Sequence, residues 1–193
     1  MLELKGLKKL FKGITVLNGV DISIEQGTKI GLSGGNGTGK STLLNIATGF
    51  LTPEEGAIIL NGDNITHFEA WKFARLGIKR TFQKVRFNEA LILKEQLYTS
   101  DEMIKRNLDM LKDAGLIDYL YAFPNEVPLP ILRKVEVIRA LLECPRYLFL
   151  DEPSAGMAAT DLHEFGEFLT EYIDANICLV VVEHRLELMK KLN

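Results

Sequence analysis

Four glycines stand within six consecutive positions, Gly34, Gly35, Gly37 and Gly39, with Asn36 and Thr38 between them, and Lys40, Ser41 and Thr42 follow at once. Glycine at this density costs too much backbone entropy to serve an ordinary turn. The run is preceded by TKIGLS, which reads as a strand, and followed by a helical pattern beginning near Lys40. The spacing is G-x-x-x-x-G-K-[ST] in a strand, loop and helix setting. Such glycines let backbone N–H groups turn inward around phosphate oxygens, and the helix start adds its positive dipole end. Lys40 then reaches the outer phosphates as a point charge, while the Ser41 hydroxyl is placed to ligate Mg2+.

A phosphate loop of this kind needs an acidic element, and YLFLDE supplies one: an apolar strand ending in Asp151 and Glu152. Asp151 is expected to hold Mg2+ through water, with Glu152 as the general base on the attacking water. The surrounding pattern fits. Strands LELKGLKKLF, VDISIE, TKIGLS and AIILNG fill the opening third; DEMIKRNLDMLKDAGLIDYLY, residues 101–121, reads as a helix with Met103, Leu108, Leu111, Leu116 and Leu120 near helical spacing. Prolines 124, 128 and 130 separate it from a second helix carrying Ile131, Val135, Ile138 and Leu142 on one stripe. The last third alternates YLFLD, the amphipathic DLHEFGEFLTEYI and ICLVVVE, and fully apolar strands between helices imply a parallel sheet covered on both faces. The expected architecture is an α/β core with a mostly parallel sheet, an N-terminal antiparallel β portion and a helical insertion over residues 85–144.

Composition narrows the class. With 193 residues, 23 Lys+Arg against 26 Asp+Glu and a net charge of -3, the chain reads as one domain that buries a sizeable core without disulfides or a structural metal. Cys144 and Cys178 sit in apolar stretches and are expected to be reduced, inert core residues. No apolar run is long enough to span a membrane and no secretion signal opens the chain, so it is expected in the cytoplasm. The interspersed, mildly acidic charge gives no broad positive field for nucleic acid.

Taken with three further motifs, the sequence resembles the nucleotide-binding subunit of an ATP-binding cassette (ABC) transporter over nearly its whole length, which implies a P-loop NTPase core of the ABC ATPase type. By that resemblance Phe11 in KKLFKG stacks on adenine, Gln83 in RTFQKVRF senses the γ-phosphate and metal, and His184 in VVVEHR is the switch histidine that hydrogen-bonds the γ-phosphate. It also implies ATP and Mg2+ as ligands, a second ATP-binding subunit and a membrane permease as partners, and a peripheral place on the cytoplasmic face. The stretches ATGFLTPEEGAIILNGDNIT, ARLGIKRTFQ and VVVEHRLELM most resemble the ATPases of branched-chain amino acid importers.

Two departures stand against these agreements. The family signature, LSGGQ or LSYGQ, aligns with Val127, Pro128, Leu129, Pro130 and Ile131, followed by Leu132. In the family its serine hydroxyl and glycine amides meet the γ-phosphate bound by the opposing subunit; proline has no N–H to give. Ala158 stands where the family usually has Asp or Asn. The family also generally continues well past position 193, so the C-terminal end is expected to be shortened. Two functions remain open on these residues: an ATP-hydrolysing subunit coupled to a permease, or a noncatalytic ATP-binding module that needs a different partner subunit. A soluble P-loop kinase or GTPase is disfavoured, since it would not explain Gln83, Asp151, Glu152 and His184 in this order and no guanine-reading motif appears.

Overall fold

Strand β1 (Leu2–Phe11) turns back through Lys12 and Gly13 into β2 (Ile14–Ile24). Both turn residues have positive φ, 50° and 83°, as a two-residue hairpin turn that follows the strand twist requires. β2 thus begins at Ile14, earlier than the alternation starting at Val20 suggests, because Gly19 and the register shifts opposite β1 break the period of two in its first half. β4 (Glu55–Leu60) pairs with the other edge of β1, and the two-residue β5 (Asp63–Asn64) completes an antiparallel sheet of order β2-β1-β4-β5.

The computed structural model describes residues 1–97 and 100–192. These residues divide into two compact units, the first formed by Met1–Arg80, Pro145–Asp151 and Ala175–His184, the second by Thr81–Cys144, Glu152–Asp174 and the residues from Arg185 on.

The first unit holds both sheets. Its second sheet is wholly parallel, with order β3 (Lys29–Leu32), β8 (Cys178–Val182), β7 (Tyr147–Asp151) and β6 (Ile78–Arg80). Every residue of β7 and β8 is buried, as their unbroken apolar sequences predict. Tyr147, Phe149, Cys178, Val180 and Val182 join a core with Leu2, Leu4, Leu7 and Ile58 of the antiparallel sheet and Leu43, Leu44, Ile46 and Ala47 of helix α1 (Lys40–Ala47). A short helix, α2 (Ala70–Arg75), contributes Phe73, which is completely buried.

All elements of the second unit are helical: α3 (Leu93–Gln96), α4 (Asp101–Arg106), α5 (Leu108–Asp113), α6 (Leu129–Leu142), α7 (Ala159–Tyr172) and α8 (Leu186–Leu192), with 3-10 turns at Ile117–Tyr119 and Pro124–Glu126. The single helix expected over residues 101–121 is broken twice. Asn107 leaves the helical region at φ −110°, ψ 23°, its amide bonding the Met103 carbonyl at 2.8 Å, and Gly115 takes φ 69°. Leu111 and Leu116 still bury from opposite sides of the second break, whereas Leu108 stays exposed. Helix α6 starts at Leu129, so Pro130 opens it instead of separating it from the preceding segment, and of the expected stripe Val135 and Ile138 are fully buried while Ile131 and Leu142 are half-buried.

The two cysteines differ. Cys178 is a buried residue of β8, but Cys144 is exposed, which corrects the expectation of two core thiols. The reason is local: α6 ends at Leu142, and Cys144 turns the chain out of the helix with φ 50° just before Pro145.

Leu44 is completely buried on α1 and ties the helix that follows the glycine loop to the core. Leu44→Ala should destabilise the protein by about 2–5 kcal/mol. Urea unfolding checks this, and a midpoint unchanged from wild type would show that the contact does not hold α1 in place.

Candidate functional site

The first unit carries the glycine loop, residues 34–39, between β3 and α1. Gly37 and Gly39 have φ of 79° and 92°, and a Cβ on Gly39 would come within 2.9 Å of Leu17 Cδ2 and 3.0 Å of the Val16 carbonyl. Position 39 therefore excludes any side chain on two grounds, conformation and space. The Lys40 ammonium donates to the carbonyls of Gly34 (2.7 Å) and Gly35 (2.8 Å), and Thr38 Oγ1 donates to Gly35 O at 2.9 Å, so the loop is closed by its own functional residues. Leu43 N bonds Gly39 O at 2.8 Å as the first helical link, which leaves the N–H groups of Lys40, Ser41 and Thr42 pointing out of the helix start. No acidic residue lies in that first turn to neutralise the dipole.

Asp151 closes β7 and is buried. Its Oδ2 accepts from Arg80 Nη2 at 3.0 Å, while Arg80 Nη1 donates to Asn45 Oδ1 at 2.6 Å and contacts Thr48 Oγ1 at 3.3 Å. The parallel register sets Arg80 opposite Phe149, two residues before Asp151. His184 follows β8, exposed, with its backbone N–H donating to Glu183 Oε1 at 2.7 Å. Phe11 ends β1 with 43% of its surface exposed, and the Lys9 ammonium lies 5.6 Å from its ring centre. An open aromatic at a hairpin end is available for stacking in a way that a core phenylalanine is not.

In the second unit Gln83 and Glu152 meet: Gln83 Nε2 donates to Glu152 Oε2 at 2.8 Å. Glu152 has φ 47°, a strained setting for a non-glycine residue that also precedes a proline. The Gln83 backbone is held separately by Arg133 of α6, whose Nη2 donates to Gln83 O at 2.6 Å and whose Nη1 donates to Phe82 O at 3.0 Å. Arg133 also pairs with Glu136 at 3.3 Å, and Glu136 Oε1 accepts from Arg86 N. Burial pushes the Glu136 carboxyl above its usual range, with the Arg133 charge pulling the other way.

The start of α6 is where the signature residues fall. Pro128 is the N-cap, Pro130 lies in the first turn, and the N–H groups of Ile131 and Leu132 both bond Pro128 O, at 3.1 and 3.2 Å. Pro128 and Pro130 have no N–H and the Ile131 N–H turns back on the Pro128 carbonyl, while the Leu132 N–H makes the ordinary first helical bond, so this helix start presents fewer free amides to an anion than that of α1. Ala158, the N-cap of α7, offers no side-chain cap either.

The two hard oxygens expected to meet a metal, the Ser41 hydroxyl in the first turn of α1 and the Asp151 carboxylate at the end of β7, both belong to the first unit. Among the described residues no group of three or more His, Cys, Asp or Glu could hold a metal ion on its own. Few protein oxygens supplemented by phosphate oxygens is the pattern that suits Mg2+.

Residues 17–155 match the sequence profile of the ABC transporter family. The chain belongs to that family. Its relatives include the probable branched-chain amino acid transport ATP-binding protein LivG of Archaeoglobus fulgidus, 30% identical over 99% of this chain and 82% of the relative. Another is the high-affinity branched-chain amino acid transport ATP-binding protein BraF of Pseudomonas aeruginosa, 26% identical over 100% of this chain and 85% of the relative. Among solved structures, a nucleotide-free ATP-binding cassette from an ABC transporter superposes with a TM-score of 0.87 at 28% identity, covering 100% of this chain and 84% of that one. The ADP conformation of an ATP-binding cassette gives 0.85 at 28% identity, covering 98% and 83%. The fold is the ABC ATPase cassette, with the expected antiparallel portion and parallel core.

Several residues of this ABC cassette were not singled out by sequence reading: Arg80, Asn45, Arg133, Glu136 and Glu183. Their signal is weak but present. Arg80 is a cation at the end of a strand-like IKR, and Arg133 and Glu136 interrupt an otherwise apolar helix face, so each charge implies a buried partner.

Lys40→Ala should weaken ATP binding about tenfold or more, since a charge-assisted contact of about 1.5–3 kcal/mol is removed. Titration calorimetry on the purified chain reads it, and an unchanged affinity would exclude Lys40 from the phosphate site.

Proposed function

We propose that this cassette binds MgATP on its glycine loop and hydrolyses it to drive a membrane permease, as the ATP-binding subunit of an importer of branched-chain amino acids. The observation that carries the reading is the loop itself: glycines forced by space and conformation, a helix start with outward N–H groups, and Lys40 already gathered onto the loop. The substrate class rests on the names of the relatives, and among the described residues no helix is long and apolar enough to cross a membrane. Work across a membrane therefore calls for a permease, which would hold the chain at the cytoplasmic face.

The roles divide by chemistry. The backbone amides of residues 34–42 and the Lys40 ammonium bind the phosphates, and Phe11 stacks on the base. Ser41, Gln83 and Asp151 are the residues that would hold Mg2+, which when bound neutralises phosphate charge. Glu152 takes the proton from water as the water oxygen attacks the γ-phosphorus and the bond to the β-phosphate oxygen breaks, releasing ADP. Its carboxylate is oriented by Gln83 at 2.8 Å. His184 donates to the γ-phosphate oxygens. Residues 1–193 act as one ATP-binding domain, with residues 85–144 as its helical part.

A second subunit supplies the signature. In a symmetric pair each ATP would face the proline-blocked start of α6, so a different cassette with intact donors is the fitting partner, and in its absence the chain is a nucleotide-binding module with little turnover. Glu152→Gln should leave ATP affinity within about twofold while lowering turnover about 100-fold or more, because a base acts only in the chemical step. Phosphate release and calorimetry in the hydrolysing assembly separate the two; full turnover would pass the base role to another residue. The isolated wild-type chain should hydrolyse ATP slowly, and rapid phosphate release by it alone would contradict the part given to the signature.

A further inference from the structure

We infer that Arg80 is a positioning residue that fixes Asp151 against the phosphate-loop helix, and thereby sets how strongly a divalent metal tightens nucleotide binding. The inference rests on the nucleotide-binding reading above and adds to it a residue outside the loop and the acidic pair.

Arg80 ends β6, the shortest strand of the parallel sheet. Its guanidinium lies between two elements that carry the metal-directed oxygens. On one side Nη2 donates to Asp151 Oδ2 at 3.0 Å, at the end of β7; on the other Nη1 donates to Asn45 Oδ1 at 2.6 Å and meets Thr48 Oγ1 at 3.3 Å, on the helix that begins with Lys40 and Ser41. Thr48 spends its own hydroxyl proton on the Leu44 carbonyl at 2.6 Å, so its oxygen is left to accept. The ring of Phe50 lies 5.4 Å from the guanidinium carbon. Side-chain exposures of 5% for Arg80 and 4% for Asp151 place the pair out of bulk water.

Three properties follow. A carboxylate buried to this degree needs a compensating cation to stay charged in place, and Arg80 provides it. The planar fork of arginine reaches two elements at once with fixed geometry, which the single ammonium of lysine cannot do. Because the same fork grips α1, it sets the separation between the strand end that bears Asp151 and the helix that bears Ser41. Residues that orient metal ligands in this way typically govern metal affinity without touching the metal.

The test compares ATP affinity by calorimetry in EDTA and in MgCl2 for wild type, Arg80→Lys and Asn45→Ala. Arg80→Lys keeps the charge and should reduce the Mg2+-dependent gain in affinity about tenfold, leaving the affinity in EDTA within twofold. Asn45→Ala removes the grip on α1 alone and should act in the same direction by about threefold; it decides the matter if the lysine variant fails to fold. Parallel losses in both media would assign Arg80 a role in stability only, and no change in either would also overturn the inference. Absence of ATP binding by the wild-type chain would instead overturn the nucleotide-binding reading itself.

Discussion

A carboxylate with only 4% of its side chain exposed is stabilised by a matching cation, and the pairing of Asp151 with Arg80 ties the ends of β6 and β7 to α1 over the apolar core of the first unit. Strands β7 and β8 are buried along their whole length, so their polar chemistry is pushed to their C-terminal ends, where Asp151 and Glu183 stand. Arg80 then draws β6, β7 and α1 together by side-chain contacts rather than by apolar packing alone. The second unit repeats the device: Arg133, buried among helices, pairs with Glu136 and holds the backbone of Phe82 and Gln83. In both units the residue expected to meet the nucleotide is short and ordinary, and a buried arginine makes its position definite.

What could be read from the chain alone follows the reach of the signals. The glycine loop, Asp151 and Glu152 at a strand end, and the fully apolar β7 and β8 are local patterns, and the structure places each as a loop before a helix or as a strand in a parallel sheet. β1 and β4 were legible from alternation and bounding turns. The start of β2 was not, because Gly19 and its bulged register erase the period of two, and the breaks at Asn107 and Gly115 were hidden by apolar residues that keep helical spacing across them. Cys144 shows the same limit in small: its neighbours are apolar, yet one residue with φ 50° turns it to the surface. Arg80 and Arg133 could not be placed, since their partners lie 71 and about 50 positions away, and only the fold brings those groups together.

The chain therefore joins a well-built nucleotide loop to a helix start that gives little to an anion. On the proposed reading the glycines, Lys40 and the outward amides form an anion site that needs no partner. Pro128 and Pro130 have no N–H to offer at the start of α6, and the amide of Ile131 turns back to the Pro128 carbonyl. On the proposed reading these two ends would serve different nucleotides, so the lesion would spare binding and impair assembly.

That division is tested most directly by light scattering of the Glu152→Gln protein with ATP and Mg2+, with and without the added pair Pro128→Ser and Pro130→Gly. The account predicts a monomer with the native prolines and an ATP-dependent dimer once a hydroxyl and an amide are restored. A tight dimer already formed with the prolines in place would contradict it.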